Sequence, residues 1–201
     1  MKKIGLMLTM LCFSVMLFSC SSAPKITRVD ADEAIDLSGN WNDTDSRLVA
    51  DEMIADSVVK PWMDNFIKQK QSKPRIIVGT VLNKSDEHIN TETFVKDLER
   101  SLINTGKATF VASKEERNEI RDERMDQADF SEASTVKKFG KEIGADFMLK
   151  GQINTITDAI KNQTLKYYQV ELELIDVETN EKVWIGQKKI KKVVGKSKYK
   201  A

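Results

Sequence analysis

Few residues of this sequence could carry chemistry, and their spacing limits what that chemistry could be. His88 is the one histidine, beside Asp86 and Glu87. A catalytic histidine needs a nucleophile and an orienting partner, and the sequence marks out neither, so a surface or loop-ordering role is favoured. Asp122, Glu123 and Asp126 are interleaved with Arg117, Arg121 and Arg124. At helical spacing these opposite charges favour intrahelical ion pairs over a metal site. Gly79, Gly106, Gly140, Gly144 and Gly151 never fall into a phosphate-loop spacing, so nucleotide binding has no support. Neither a metal nor a cofactor is expected. Lys188, Lys189, Lys191, Lys192, Lys196, Lys198 and Lys200 could meet a polyanion or lipid head groups. A lysine-rich edge strand also prevents sheet-to-sheet pairing, and that reading is favoured. Trp41, inside the polar run Gly39 to Asp43, reads either as a partner anchor or as a plug that docks the lead-in onto the core.

The balance of charge narrows the field further. The 201 residues hold 32 Lys and Arg against 31 Asp and Glu, a formal charge of +1. That offers no electrostatic excess for nucleic acid. One histidine and two cysteines, Cys12 and Cys20, are too few for cysteine/histidine zinc sites or a multi-disulfide scaffold. With 40% hydrophobic and 31% charged residues, one compact domain plus a tail is expected rather than a multi-span membrane protein.

The N-terminus reads as an export signal. Lys2 and Lys3 precede an uncharged, mostly apolar run from Ile4 to Phe18, shorter than the roughly 20 residues a membrane span needs. Leu17-Phe18-Ser19-Cys20 resembles a bacterial lipobox, in which the cysteine is lipidated and becomes the mature N-terminus. Residues 1–19 are then a signal peptide that removes Cys12, and Cys20 is the lipidation site, leaving no free thiol. Several acyl chains on one cysteine hold a protein stably on a bilayer. Position 21 is serine rather than the aspartate that retains many such lipoproteins in the inner membrane, which points to the outer membrane, facing the periplasm. Residues 20–42 carry Pro24 and Gly39 without a sustained period and read as a short tether, at most roughly 80 Å long.

The elements that must position the rest follow from periodicity. Asn42 to Asp45 can cap a helix whose apolar stripe is Leu48, Ala55, Val59, Trp62 and Phe66, broadened by Val58 and Met63 and broken or kinked at Pro61. Arg75 to Leu82 is apolar on both alternating faces, as in a central strand covered on both sides. After a loop from Asn83 to Ile89, a helix opens at Asn90 with Phe94, Val95, Leu98 and Leu102 inward and stops at Gly106. Lys107 to Ala112 is a short strand. Ser113 and Glu116 form a capping box for a charged surface helix, and Val136, Phe139, Gly140 and Ile143 suggest a second short helix. Three long strands follow from Phe147 to Val194, with turns at Lys161 to Gln163 and Thr179 to Glu181. The expected class is α+β: a mixed sheet of about five strands in the order α-β-α-β-α-α-β-β-β, with helices on one face and the other partly wet. The domain spans 43–195, and 196–201 form a basic tail.

Three stretches carry a family resemblance: SGNWNDTDSRLVADEMI, KPRIIVGTVLNKSDEHINTETF, and KEIGADFMLKGQI with YYQVELELIDVETNEKVW. From about Leu37 to Val194 the chain resembles the LpoB family of penicillin-binding protein activators, whose domain is similar to the N-terminal domain of TolB. The resemblance implies an outer-membrane lipoprotein, monomeric and without an active site. It implies binding to a class A bifunctional penicillin-binding protein, with stimulation of glycan polymerisation and crosslinking in peptidoglycan synthesis. Family phrasing and expected loop exposure place the partner-binding surface at Trp41, Arg47, Asn83, Glu87 and His88. One departure is the tether, because well-known members of the family have a long proline-rich linker. The alternative is a curli-secretion-type or scaffold envelope lipoprotein of the related fold; a membrane pore needs lipid-facing hairpins that the strand patterns do not supply.

Overall fold

The computed structural model describes residues 26–31, 33–137, 140 and 142–195. The expected signal peptide, Cys12, Cys20, the first part of the expected tether and the basic tail at 196–201 all lie outside the described residues. The chain divides into two units, Met1–Glu33 and Ala34–Ala201. The described residues of the first are irregular, with the Glu33 N–H donating to the Asp30 carbonyl at 3.2 Å.

The second unit begins its regular structure at α1 (Asp43–Ser57). Asn42 caps it reciprocally: its side chain accepts from the Asp45 N–H, and its own N–H donates to the Asp45 carboxylate, both at 3.0 Å. Pro61 sits at the first turn of a separate helix, α2 (Pro61–Lys70), where the missing N–H costs nothing. The rest is β1 (Arg75–Lys84), α3 (Thr91–Asn104), β2 (Thr109–Phe110), α4 (Lys114–Phe130), β3 (Phe147–Ile160), β4 (Gln163–Asp176) and β5 (Lys182–Gly195). They build one five-stranded sheet in the order β2-β1-β3-β4-β5. The β1–β2 and β1–β3 pairs are parallel, and β3, β4 and β5 form an antiparallel meander.

One face of the sheet carries the core. Phe147, Leu149 and Ile153 from β3, Val170, Leu172 and Leu174 from β4, and Trp184 from β5 are buried against α1, α2 and α3. The fold class is therefore α+β as expected, and the alternation in the meander is the one the sequence displays. Close approach between β3 and β4 requires Gly151: a Cβ there would lie 2.5 Å from the Glu171 carbonyl oxygen and 2.4 Å from Leu172 Cδ2.

Three expectations are corrected. The inward row of α1 is Val49, Ala50, Met53 and Ile54, while Leu48, Ala55 and Val59 of the expected stripe are exposed and only its later members Val58, Trp62 and Met63 are buried. Two indoles bond the inward side of the helix: Trp41 Nε1 donates to Ser46 Oγ and Trp62 Nε1 to the Ser57 carbonyl, both at 2.8 Å, whereas the buried Thr44 hydroxyl has no hydrogen-bond partner among the described residues. The second short helix does not form among the described residues of its segment; 136, 137, 140 and 142–145 are loop or turn, and Ile143 is exposed. Gly140 takes a φ of 69° there, outside the right-handed helical range. Finally, β1 is covered on both faces only at its start: Ile77 is buried on the far face, and Leu82 further along is about half exposed. Elsewhere α4 lies at the surface with no buried residue, as its charge pattern predicts.

Candidate interaction surface

The free end of the meander, where β3 turns into β4, brings together the lead-in before α1 and the loop after β1. The agent is Glu87. Its Oε2 accepts the Trp41 N–H at 3.0 Å, and its Oε1 accepts Lys166 Nζ and the Tyr168 hydroxyl, each at 2.7 Å. The same tyrosine oxygen lies 3.2 Å from the Gly39 carbonyl. Burial pulls the Glu87 carboxyl upward, but Lys166, Tyr168 and the Trp41 amide outweigh it and hold the group below the usual glutamate range. Burial, reinforced by the Glu87 carboxylate, pushes the Tyr168 phenol well above its usual value.

A second polar cluster ties the lead-in to β5. Lys192 Nζ meets Asp36 and Asp45 at 2.6 Å each and the Asn40 carbonyl at 3.2 Å. The Lys192 and Asp45 side chains are only 10% and 9% exposed, so the lysine is held as a buried cation between two carboxylates. Burial opposes that charge; Asp36 and Asp45 more than offset it and raise the lysine above its ordinary value. Asp45 thus serves both as the reciprocal partner of the helix cap and as the anchor of a strand end.

Around this core the Trp41 ring makes edge contacts with Phe94 and Tyr168, at centroid distances of 6.0 and 5.7 Å. Of the two readings of Trp41, the structure supports the plug. The loop itself is pinned rather than loose. Asn83 Nδ2 donates to the Glu87 carbonyl at 2.8 Å, and Asp86 accepts from Thr155 Oγ1 at 2.6 Å and Thr157 Oγ1 at 3.2 Å. Those contacts, Thr155 first, keep the Asp86 carboxyl below its usual range.

Trp41, Glu87 and Asn83 are therefore joined in one assembly. His88 stands next to it, exposed. Arg47 lies on α1, where its charge acts on Asp97 of α3. Sequence reasoning missed Lys166, Tyr168, Lys192 and Asp36. A signal existed: by alternation with Val170 and Leu172, Tyr168 and Lys166 must point to the core side, and an inward lysine or tyrosine needs a polar partner. Among the described residues no cluster of three metal-ligating side chains occurs. None of their helices is long and apolar enough to cross a membrane.

Residues 45–190 match the family described as peptidoglycan-synthase activator LpoB. Among solved structures, the LpoB C-terminal domain from Salmonella enterica is similar at 15% identity, over 73% of this chain and 98% of that one, with a TM-score of 0.44. LpoB from E. coli is similar at 13% identity, over 90% and 87%, with a TM-score of 0.40. A lipoprotein from Neisseria meningitidis is similar at 16% identity, over 63% and 88%, with a TM-score of 0.41. No curated protein sequence matches.

Proposed function

This chain belongs to the LpoB family of peptidoglycan-synthase activators, and on that premise we propose that it is an outer-membrane lipoprotein, anchored through Cys20 and facing the periplasm, that binds and stimulates a class A bifunctional penicillin-binding protein. The observation that carries the proposal is the extent of the family match, which runs from the first turn of α1 to within β5 and so takes in every helix and strand described. The family acts as a regulator of a synthase rather than as an enzyme. The polar groups at the end of the meander fit such a role, since Glu87, Lys166, Tyr168 and Lys192 are spent on holding structure rather than poised toward a cleft.

The loop after β1 belongs to the contact surface in this reading. Asn83 and His88 are exposed on a segment fixed by Asp86 and Ile89, so they meet a partner with little loss of loop entropy. Trp41 and Glu87 hold that segment in place from within. Arg47 extends the surface along α1. Binding of the full-length protein to purified class A penicillin-binding proteins of the same organism, by surface plasmon resonance, tests this. Alanine changes at Asn83 and His88 together are expected to weaken binding about tenfold. Unchanged affinity would remove the loop from the surface.

A further inference from the structure

The far face of the sheet is open at the free end of the meander. Alternation against buried Ile153 and Val170 puts Ile156 of β3, Leu165 and Tyr167 of β4, and Lys189, Lys191 and Val193 of β5 on that face. They are neighbours across the strands: Ile156 pairs with Tyr167, Tyr167 with Lys191, and Leu165 with Val193. Ile156 is 66% and Val193 62% exposed, although the core side of the same strand ends is closed by the lead-in and the loop after β1. A shallow depression of about 140 Å³ runs between Ile156, Tyr167, Asn154, Thr155 and Gln169.

The polar border is already organised. Tyr167 donates to Gln169 Oε1 at 2.9 Å, Gln169 donates to Glu171 at 2.5 Å, and Gln152 donates to the other Glu171 oxygen at 2.8 Å. Side chains held in this way lose little freedom on binding, and a rigid tyrosine beside an exposed isoleucine is the make-up of an interface centre. Charge then selects the partner. Lys191 lies over the Tyr167 ring, 5.9 Å from its centroid, and neither Lys191 nor Lys189 has a carboxylate partner among the described residues. The acidic Glu171 is occupied by three amides, and Asp158 stands further out toward the turn.

We propose that this open face, centred on Ile156 and Tyr167 with Lys189 and Lys191 at its border, docks a surface of the synthase that presents an apolar side chain flanked by carboxylates. The proposal rests on the function given above. It adds a second contact area on the opposite side of the sheet end from Asn83 and His88, so the partner grips the end of the meander from both faces.

The test uses full-length protein in detergent and purified class A penicillin-binding proteins of the same organism. The variants are Ile156→Asp, the pair Lys189→Glu/Lys191→Glu, and Val59→Asp as a control on an exposed apolar residue elsewhere. Unfolding temperatures within a few degrees of wild type establish that each variant is folded. Ile156→Asp is expected to weaken binding about tenfold or more, and the lysine reversals are expected to weaken it and flatten its salt dependence. Val59→Asp should leave it unchanged. If wild type binds and the folded Ile156→Asp and lysine variants bind equally well, the docking face is wrong while the function stands. If wild type binds no synthase, the function itself fails. Loss in the variants of self-association, or of binding to anionic vesicles, with synthase binding intact would also overturn the proposal.

Discussion

Glu87 joins three segments that are far apart in sequence, the lead-in, the loop after β1 and strand β4, through hydrogen bonds from Trp41, Lys166 and Tyr168. Removing it strands a largely buried ammonium, because the Lys166 side chain is only 17% exposed. Glu87→Ala should therefore lower stability by about 3 kcal/mol, measured by urea unfolding, and make the lead-in more susceptible to protease. The pH dependence has a definite sign. The folded carboxyl titrates below its ordinary value of 4.5, so its stabilisation is complete above that value and is lost as pH falls through the lowered one. Wild type should lose unfolding temperature across that window more steeply than Glu87→Gln. The cluster was only half legible in the sequence. Trp41 stands out by type, but nothing near it in the chain names Glu87 or Tyr168, which lie 46 residues from Trp41 and 81 residues from Glu87 respectively. Lys192 was hidden differently: in a run of lysines, only the strand register tells which one points inward.

Among the elements, the meander was the most legible because its alternation is enforced by one buried face, and a shift by a single residue would expose Leu172 and Leu174. The first helix was less so. Its exposed Leu48 and Val59 mimic a packing stripe, yet the true inner row includes Ser46 and Ser57; Trp41 bonds the Ser46 hydroxyl and Trp62 the Ser57 carbonyl, and helical spacing reveals neither contact. The caps at Asn42, Asn90 and Ser113 were legible because their logic is local. At this scale the sharpest prediction concerns Gly151. The carbonyl it would meet belongs to a paired strand and cannot move aside, so Gly151→Ala should cost about 1–3 kcal/mol in urea unfolding. Gly144→Ala, with nothing within 4 Å of the new methyl, should be close to neutral.

For the molecule as a whole, the docked lead-in limits the reach that the proposed lipid anchor would allow. Asp36, Gly39, Asn40 and Trp41 are held to the domain, so under the anchoring proposed at Cys20 the reach is limited by the chain between Cys20 and Asp36. Fully extended, that stretch reaches at most roughly 55 Å. Under the proposed function, so short a reach requires a synthase that projects toward the domain or a narrow gap between the membranes. The most direct measurement is the rate of glycan polymerisation from lipid-linked precursor by a class A penicillin-binding protein of the same organism, with and without the full-length protein in detergent. A several-fold, saturable rise is predicted. No rise, together with no binding to any such synthase, would contradict the assignment of this chain as an activator.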